Sequence, residues 1–208
     1  VRYDRVMRSI SDQLSYLSRS WNSEPVAEER AHALIALATG HLCYRGGELA
    51  ARRASGWLVA ELGRQLHADG GHVTRNPSVT LALLLDLLVL KQCYAERALE
   101  MPAAIADLMQ RMLGFLRFLR LGDGSLASFN GSHGNVRDAL ATIDSLDHGD
   151  RVTLAAAPQS GYSRLACGDT VIVADTGAAP ALRHSTRATA SCLAFDMSAG
   201  GQILFCGA

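Results

Sequence analysis

The chain has 208 residues, 49% of them hydrophobic, and its 20 Lys and Arg balance its 20 Asp and Glu, so the formal net charge is zero. A neutral balance gives no support for non-specific binding to nucleic acid or to an anionic membrane, which depends on an excess of positive charge. The length allows one large or two small domains, and the five cysteines lack the spacing of zinc ligands.

Up to about residue 121, apolar residues recur at the spacing of amphipathic helices. This pattern predicts five helices joined by short loops. Their marker residues, in chain order, are Val6, Ile10, Leu14 and Leu17; Ala33, Leu34, Leu37 and Leu42; Leu49, Trp57, Leu58, Leu62 and Leu66; the apolar run after Pro77; and Ile105, Leu108, Met112, Leu116 and Leu119.

The fourth helix, predicted over residues 78–94, is apolar on nearly all of its faces. Such a helix must be covered on several sides, which favours stacked helical hairpins in a solenoid or toroid over a four-helix bundle. Its longest apolar run, residues 79–90, includes Thr80 and Asp86 and is too short to span a bilayer. The sequence therefore predicts no membrane insertion.

Just before this helix lies a polar loop, Asp69-Gly-Gly-His-Val-Thr-Arg-Asn-Pro77. Gly70 and Gly71 allow a positive φ and a close approach of the backbone to a ligand. Asn76 is expected to cap the helix and Pro77 to be its first residue. A polar, ionisable loop attached to a buried helix is a candidate site.

After residue 121 the composition shifts towards Gly, Ser, Thr and Val, and residues 135–146 predict one more short helix. From about residue 158 the apolar period is that of strands. Residues 161–165 and 170–174 flank the turn at Gly168-Asp169, residues 190–197 alternate, and a last strand is expected over 201–206. We interpret the start at Val1 and the unclosed last strand as the ends of a fragment, whose final strand should have an exposed edge.

In layout and motifs the chain resembles the heparinase II/III family of polysaccharide lyases. Three passages show the resemblance: the Asp-Gly-Gly-His loop within residues 66–76, the segment 117–131 with Gly122-Asp-Gly and Phe129-Asn-Gly, and the strand region 160–195. The resemblance implies an α+β, two-domain protein: an incomplete (α/α) toroid over residues 1–121, a linker with a short helix over 122–157, and the first strands of an antiparallel β-sandwich over 158–208.

The resemblance also implies β-elimination on a uronic-acid glycan. This chemistry needs the sugar carboxylate to be neutralised, a base to remove the C5 proton and an acid to protonate the leaving oxygen. The resemblance implies that His72 and His184 are the catalytic candidates. The candidates for substrate binding are Arg75, Asn76, Asn130 and Tyr162.

Two positions depart from the family pattern. Val79 stands where a Tyr is expected, and Thr189 stands where a His is expected. Either another residue transfers the proton, or the protein binds glycan without this chemistry. Each candidate also has a structural alternative: a salt bridge for Arg75, a helix cap for Asn76, a turn for Asn130, core packing for Tyr162, and a surface or capping role for His72 and His184.

Two functions therefore remain open: a lyase acting on an acidic polysaccharide, or a non-catalytic glycan-binding or scaffolding protein that retains the lyase fold. A location in the cell envelope or periplasm is implied by resemblance alone. No cofactor and no metal ligands are expected within the chain, although the resemblance leaves room for a structural divalent metal in the β-domain of a longer protein. The sequence leaves the oligomeric state undetermined.

Overall fold

The computed structural model describes residues 2–132, 136–146 and 154–207. Helices come first and strands second, as the change of hydrophobic period predicts. The helices are α1 (Arg2–Ser20), α2 (Ala27–Leu42), α3 (Glu48–Gln65), α4 (Pro77–Glu96), α5 (Ala103–Phe118) and α6 (Arg137–Leu146); the strands are β1 (Tyr162–Cys167), β2 (Thr170–Asp175), β3 (Phe195–Ala199) and β4 (Gln202–Phe205). Short 3-10 turns occupy Trp21–Ser23 and Leu182–His184.

The chain forms two compact units, and each contains two separate stretches of sequence. The first comprises Val1–Arg64 and Asp86–Ala106, and the second comprises Gln65–Leu85 and Asp107–Ala208. The second unit therefore unites the sheet with the polar loop before α4, although the loop lies within the helical part of the sequence.

The first unit has an apolar core of fully buried leucines and alanines, including Leu34, Leu58 and Leu62. Its buried polar groups are paired. Glu61 is 1% exposed and accepts from Arg30 at 2.8 Å and from Arg64. Ser55 and Tyr94 share a hydrogen bond of 2.8 Å between α3 and α4. Pairing of this kind is what makes burial of polar groups tolerable.

Helix α4 buries one part of its surface but is less covered than its uniform apolarity predicts, since Val89 is 54% exposed. Leu83, Leu84, Leu87 and Leu90 are all inaccessible to solvent. Its length and composition would also allow it to cross a membrane, but a buried core helix meets the same criterion. The helix begins at Pro77, as predicted, and ends at Glu96, two residues beyond the predicted end at Tyr94.

The four strands form one antiparallel sheet in the order β1-β2-β3-β4. The hairpin predicted around Gly168 is confirmed: Cys167 pairs with Thr170, and Tyr162 pairs with Asp175 at the other end. Along β2, Val171, Val173 and Asp175 point to the buried face. The sheet thus delivers a carboxylate to the same face as two core valines.

The third strand begins later than predicted. Residues 190–194 alternate in sequence, but they form a loop, and β3 starts at Phe195. In this loop Leu193 has a φ of 64°, which a strand cannot accommodate. Strand β4 pairs with β3 and forms an edge of the sheet, with its side chains exposed as expected for the final strand.

Candidate functional site

The polar loop before α4 is a tight structure. A bridge joins Leu66 and His72, and the His67 N–H donates to the Gly71 carbonyl at 2.8 Å. Gly70 has the predicted positive φ, at 90°, but Gly71 does not. Glycine is required at position 71 for a different reason: a Cβ there would collide with the Ser160 hydroxyl and lie 2.9 Å from the Phe115 ring.

Asp69 ties this loop to the segment before β1. One carboxylate oxygen accepts from the Ser160 N–H at 2.8 Å, and the other accepts from the Ser160 hydroxyl at 2.5 Å and from the Gly71 N–H at 3.2 Å. Asp69 therefore stabilises its own turn and also anchors a residue 91 positions away. All three groups are buried or nearly so.

Asn76 acts as the predicted helix cap. Its side-chain oxygen accepts from the Ser78 N–H at 2.8 Å, and Pro77 is the first residue of α4. The Asn76 side chain is 4% exposed. The capping alternative is thus the one that the geometry supports, because the amide oxygen is already used by the first turn of the helix.

The Arg75 guanidinium makes four hydrogen bonds, all within the protein. Its Nε donates to the Ser160 carbonyl at 2.8 Å, and one Nη donates to the Gly161 carbonyl at 3.1 Å and to the Asp175 carboxylate. The other Nη donates to the Ala178 carbonyl. With 6% of the residue exposed, the structure favours the salt bridge over the substrate contact as the role of Arg75.

Asp175 is the residue around which the candidates converge, and sequence reasoning missed it. Besides Arg75, its carboxylate accepts from the Asn130 amide at 3.0 Å, the Ser191 hydroxyl at 2.8 Å and the Gly177 N–H at 3.2 Å. Asp175 is 1% exposed. The available signal was a charged residue that ends an otherwise apolar strand.

Tyr162 closes this cluster on one side. Its hydroxyl donates to the Arg75 carbonyl and accepts from the Asn130 amide at 3.0 Å. Its ring stacks on Phe129, with centroids 5.3 Å apart, and the Arg75 guanidinium carbon lies 5.1 Å from the Tyr162 centroid. Burial raises the pKa of Tyr162 far above its usual range. A neutral phenol held in this way is a poor base.

Three residues around Asp175 have a left-handed backbone. The φ angles are 58° at Arg75, 53° at Asn130 and 64° at Leu193, whose N–H donates to the Asp175 carbonyl at 2.8 Å. Such conformations cost energy in residues other than glycine and persist only where surrounding contacts impose them. The cluster of Arg75, Asn130, Tyr162 and Asp175, called the Asp175 cluster below, is therefore a specifically built feature.

His72 is completely buried, and both ring nitrogens are engaged. The Thr74 N–H lies 3.2 Å from Nδ1, so Nδ1 is the acceptor and Nε2 donates to the Gln65 side-chain oxygen at 3.0 Å. This network assigns the neutral Nε2–H tautomer. The His72 ring thus stabilises the polar loop through hydrogen bonds to Gln65 and Thr74.

His184 lies on the 3-10 turn Leu182–His184 and is half-buried. Its Nε2 is 3.0 Å from Nε of Arg183. The hydrogen bonds of the Asp175 cluster thus bring together Arg75, Asn130 and Tyr162. His72 lies in the same loop as Arg75, whose N–H donates to the His72 carbonyl at 2.8 Å. His184 lies on an exposed turn. Among the described residues, no group of three or more His, Cys, Asp or Glu side chains could hold a metal ion.

Comparison with known proteins shows what this chain is similar to. The profile described as "Heparinase II/III-like, C-terminal" matches residues 150–208. FtsZ-localized protein C of Caulobacter vibrioides is 38% identical over 142 residues, which is 67% of this chain and 24% of that protein. The chain thus spans about a quarter of the length of this relative.

Solved structures show the same fold at low sequence identity. Heparinase III superimposes with a TM-score of 0.64 and 15% identity, over 86% of this chain and 33% of that one. The heparan sulfate lyase HepC of Pedobacter heparinus gives a TM-score of 0.62 and 16% identity, over 85% of this chain and 31% of that one. The predicted architecture, a portion of an α/α toroid followed by an antiparallel β region, is thereby confirmed. The chain therefore has the heparinase II/III-like fold, and residues 150–208 belong to the C-terminal region of that family.

Proposed function

We propose that this protein uses the heparinase fold for binding or scaffolding and does not cleave an acidic glycan by the usual β-elimination route. The main support for the proposal is that the side chains of Arg75 and His72 are buried and form their hydrogen bonds within the protein. Arg75 uses its donors on Asp175 and three backbone carbonyls, and His72 is inaccessible to solvent.

Two further observations support a non-catalytic role. Val79 and Thr189 occupy the positions at which the resemblance implies the proton-transferring Tyr and His, and neither side chain can act as a general acid or base at neutral pH. In addition, the relative at 38% identity is named for its localisation with FtsZ and not for an enzymatic activity. A scaffolding role at the cell envelope, in association with FtsZ, is consistent with that name.

The decisive experiment is a direct assay of elimination. The full-length protein is incubated with heparan sulfate, hyaluronate and alginate, and the ultraviolet absorbance of unsaturated uronate products is followed, with heparinase III as the positive control. We expect no product, and His72→Ala and His184→Ala to be indistinguishable from the parent. Any elimination product above the protein-free blank would overturn the proposal, whether or not His72→Ala or His184→Ala abolishes it.

An active lyase on an acidic polysaccharide is the second candidate. It is favoured by the fold shared with heparinase III and HepC, the latter named as a heparan sulfate lyase. In that case a residue other than Val79 and Thr189 transfers the proton, and the same assay identifies it by substitution.

Localisation and association are tested separately from catalysis. A fluorescent fusion should concentrate where FtsZ does, and purified FtsZ should be retained by the immobilised full-length protein. A fusion that is spread evenly through the cell would remove the support for scaffolding at division sites, even if the elimination assay is negative.

A further inference from the structure

A groove in the first unit provides a binding site of a different kind. It has a volume of about 570 Å³ and lies between the end of α1, the 3-10 turn Trp21–Ser23 and the first half of α2. This volume falls within the range of small-molecule sites, about 300–1,000 Å³. The candidates of the sequence analysis all lie in the second unit, so none of them lines this groove.

Aromatic rings form the walls of the groove. Tyr16 is 67% exposed and presents its ring on one side, and Trp21 lines the groove in a half-buried position. Trp21 is fixed from behind by Trp57, whose ring lies 5.7 Å away at an interplanar angle of 27°. Ala33 and Ala36 line the groove with small side chains, so a flat ligand can approach the rings.

The polar lining is made of acceptors and hydroxyl groups. Glu24, Glu29, Ser20 and Ser23 line the groove. One carboxylate oxygen of Glu24 accepts from the Val26 N–H at 3.0 Å, which leaves the other oxygen for a ligand, and the Ser20 hydroxyl donates to the Tyr16 carbonyl at 3.0 Å. His32 also lines the groove, and its Nδ1 lies 2.8 Å from the Asp86 carboxylate.

Among the described residues that line the groove, none is Lys or Arg. The nearby Arg30 is engaged by Glu61 and by the Glu24 carbonyl at 2.8 Å.

This composition selects against anionic ligands. A sugar carboxylate or sulfate would face the carboxylates of Glu24 and Glu29 with no Lys or Arg among the described lining residues, and like charges at contact distance repel. Hydroxyl groups of a pyranose, in contrast, can donate to Glu24 and Glu29, while its apolar face covers an aromatic ring.

We infer that this groove binds a hexopyranose unit that has no carboxylate or sulfate group. The inference rests on the proposed binding role and deepens it, because it separates the ligand of the first unit from the acidic glycan that the family resemblance suggests. A protein with this groove would recognise the uncharged part of a glycan chain.

The test is calorimetric titration of the full-length protein with uncharged cello- and N-acetylchito-oligosaccharides, and with alginate oligosaccharides, in which every residue carries a carboxylate, as the anionic comparison. We expect the uncharged oligosaccharides to bind and the alginate oligosaccharides to bind at least tenfold more weakly at this site. Tyr16→Ala should weaken binding of the uncharged ligand about tenfold, since it removes one stacking surface. Tyr3→Ala is the matched control, because Tyr3 is also on α1, is 74% exposed and does not line the groove.

A second variant, Glu29→Gln, tests the role of the negative charge and leaves the aromatic side chains unchanged. Glu29→Gln should narrow the difference in affinity between the uncharged oligosaccharides and the alginate oligosaccharides. The inference is overturned if no uncharged oligosaccharide binds, if Tyr16→Ala binds as well as Tyr3→Ala, or if the alginate oligosaccharides compete equally. Elimination product in the assay above would instead refute the proposed function, so the two failures are distinguishable.

Discussion

Arg75 and Asp175, 100 positions apart in the sequence, form a buried ion pair. Arg75 comes from the loop before α4 and Asp175 from the end of β2, so this contact joins the polar loop to the sheet. Gly161 and Gly177 make room for the guanidinium, since a Cβ at either position would come within 2.9 Å of it. The pair links two distant segments of the second unit. It also engages Arg75, one of the residues predicted from the sequence to bind substrate.

Removing one partner of this pair should destabilise the second unit strongly. Arg75→Ala and Asp175→Ala each leave a buried charge without its partner, which typically costs about 3–5 kcal/mol. Arg75→Lys keeps the charge but loses the forked geometry, so we expect a loss of about 2 kcal/mol or more. Urea denaturation measures these values.

The control for these variants is Arg53→Lys, at an exposed position on α3, which should change stability by less than about 0.5 kcal/mol. If Arg75→Lys is as stable as Arg53→Lys, the guanidinium geometry is not required.

Glycine 161 should tolerate no side chain. Gly161 has a φ of 72°, and a Cβ there would lie 2.5 Å from the Gly177 Cα. Gly168 has a similar φ of 58° but has no atom within 4 Å of such a Cβ. Gly168→Ala therefore isolates the backbone strain, about 1 kcal/mol. Gly161→Ala should lower the melting temperature clearly further, and equal shifts would show that the close packing around Gly161 is unimportant.

Tyr162 should make the fold sensitive to alkaline pH. Its pKa is raised in the folded state by burial, so the unfolded chain loses the phenolic proton first. The stability due to this group is complete below about pH 10, the usual pKa of tyrosine, and falls above it by about 1.4 kcal/mol per pH unit. Measured between pH 8 and 11, unfolding of Tyr162→Phe should show a shallower decline than the parent.

The matched control for this experiment is Tyr3→Phe, since Tyr3 is 74% exposed. It should leave the alkaline slope unchanged. A parent and a Tyr162→Phe variant with parallel slopes would contradict the role of the buried phenol.

The two arginines that pair with Glu61 should contribute unequally to the free energy of unfolding. Arg30 is 24% exposed in its side chain and Arg64 is 67% exposed, while Glu61 itself is 2% exposed. Solvent screens the Arg64 contact, so Arg64→Ala should cost about 0–1 kcal/mol. Arg30→Ala should cost about 2 kcal/mol or more, because it takes the more shielded cation from a buried carboxylate. Equal losses in urea denaturation would argue against this difference.

The helices and the hairpin could be predicted because their signals are local. The spacing of leucines in α2 to α5 and the apolar surface of α4 follow from a period of 3.6 residues. The turn at Gly168-Asp169 follows from the conformational freedom of glycine between two alternating strands. The start of β3 was predicted too early, because the alternation of residues 190–194 does not reveal the left-handed backbone of Leu193.

The order of helices and strands, the cap at Asn76 and the resemblance to the heparinase II/III family could all be predicted from the amino-acid sequence, since each depends on neighbouring residues or on a motif along the chain. The role of the polar loop, in contrast, depends on contacts between distant residues. Arg75 meets Asp175 across 100 positions, and Asp69 meets Ser160 across 91. Buried charged groups require partners, and those partners are chosen by packing in three dimensions, which no local pattern encodes.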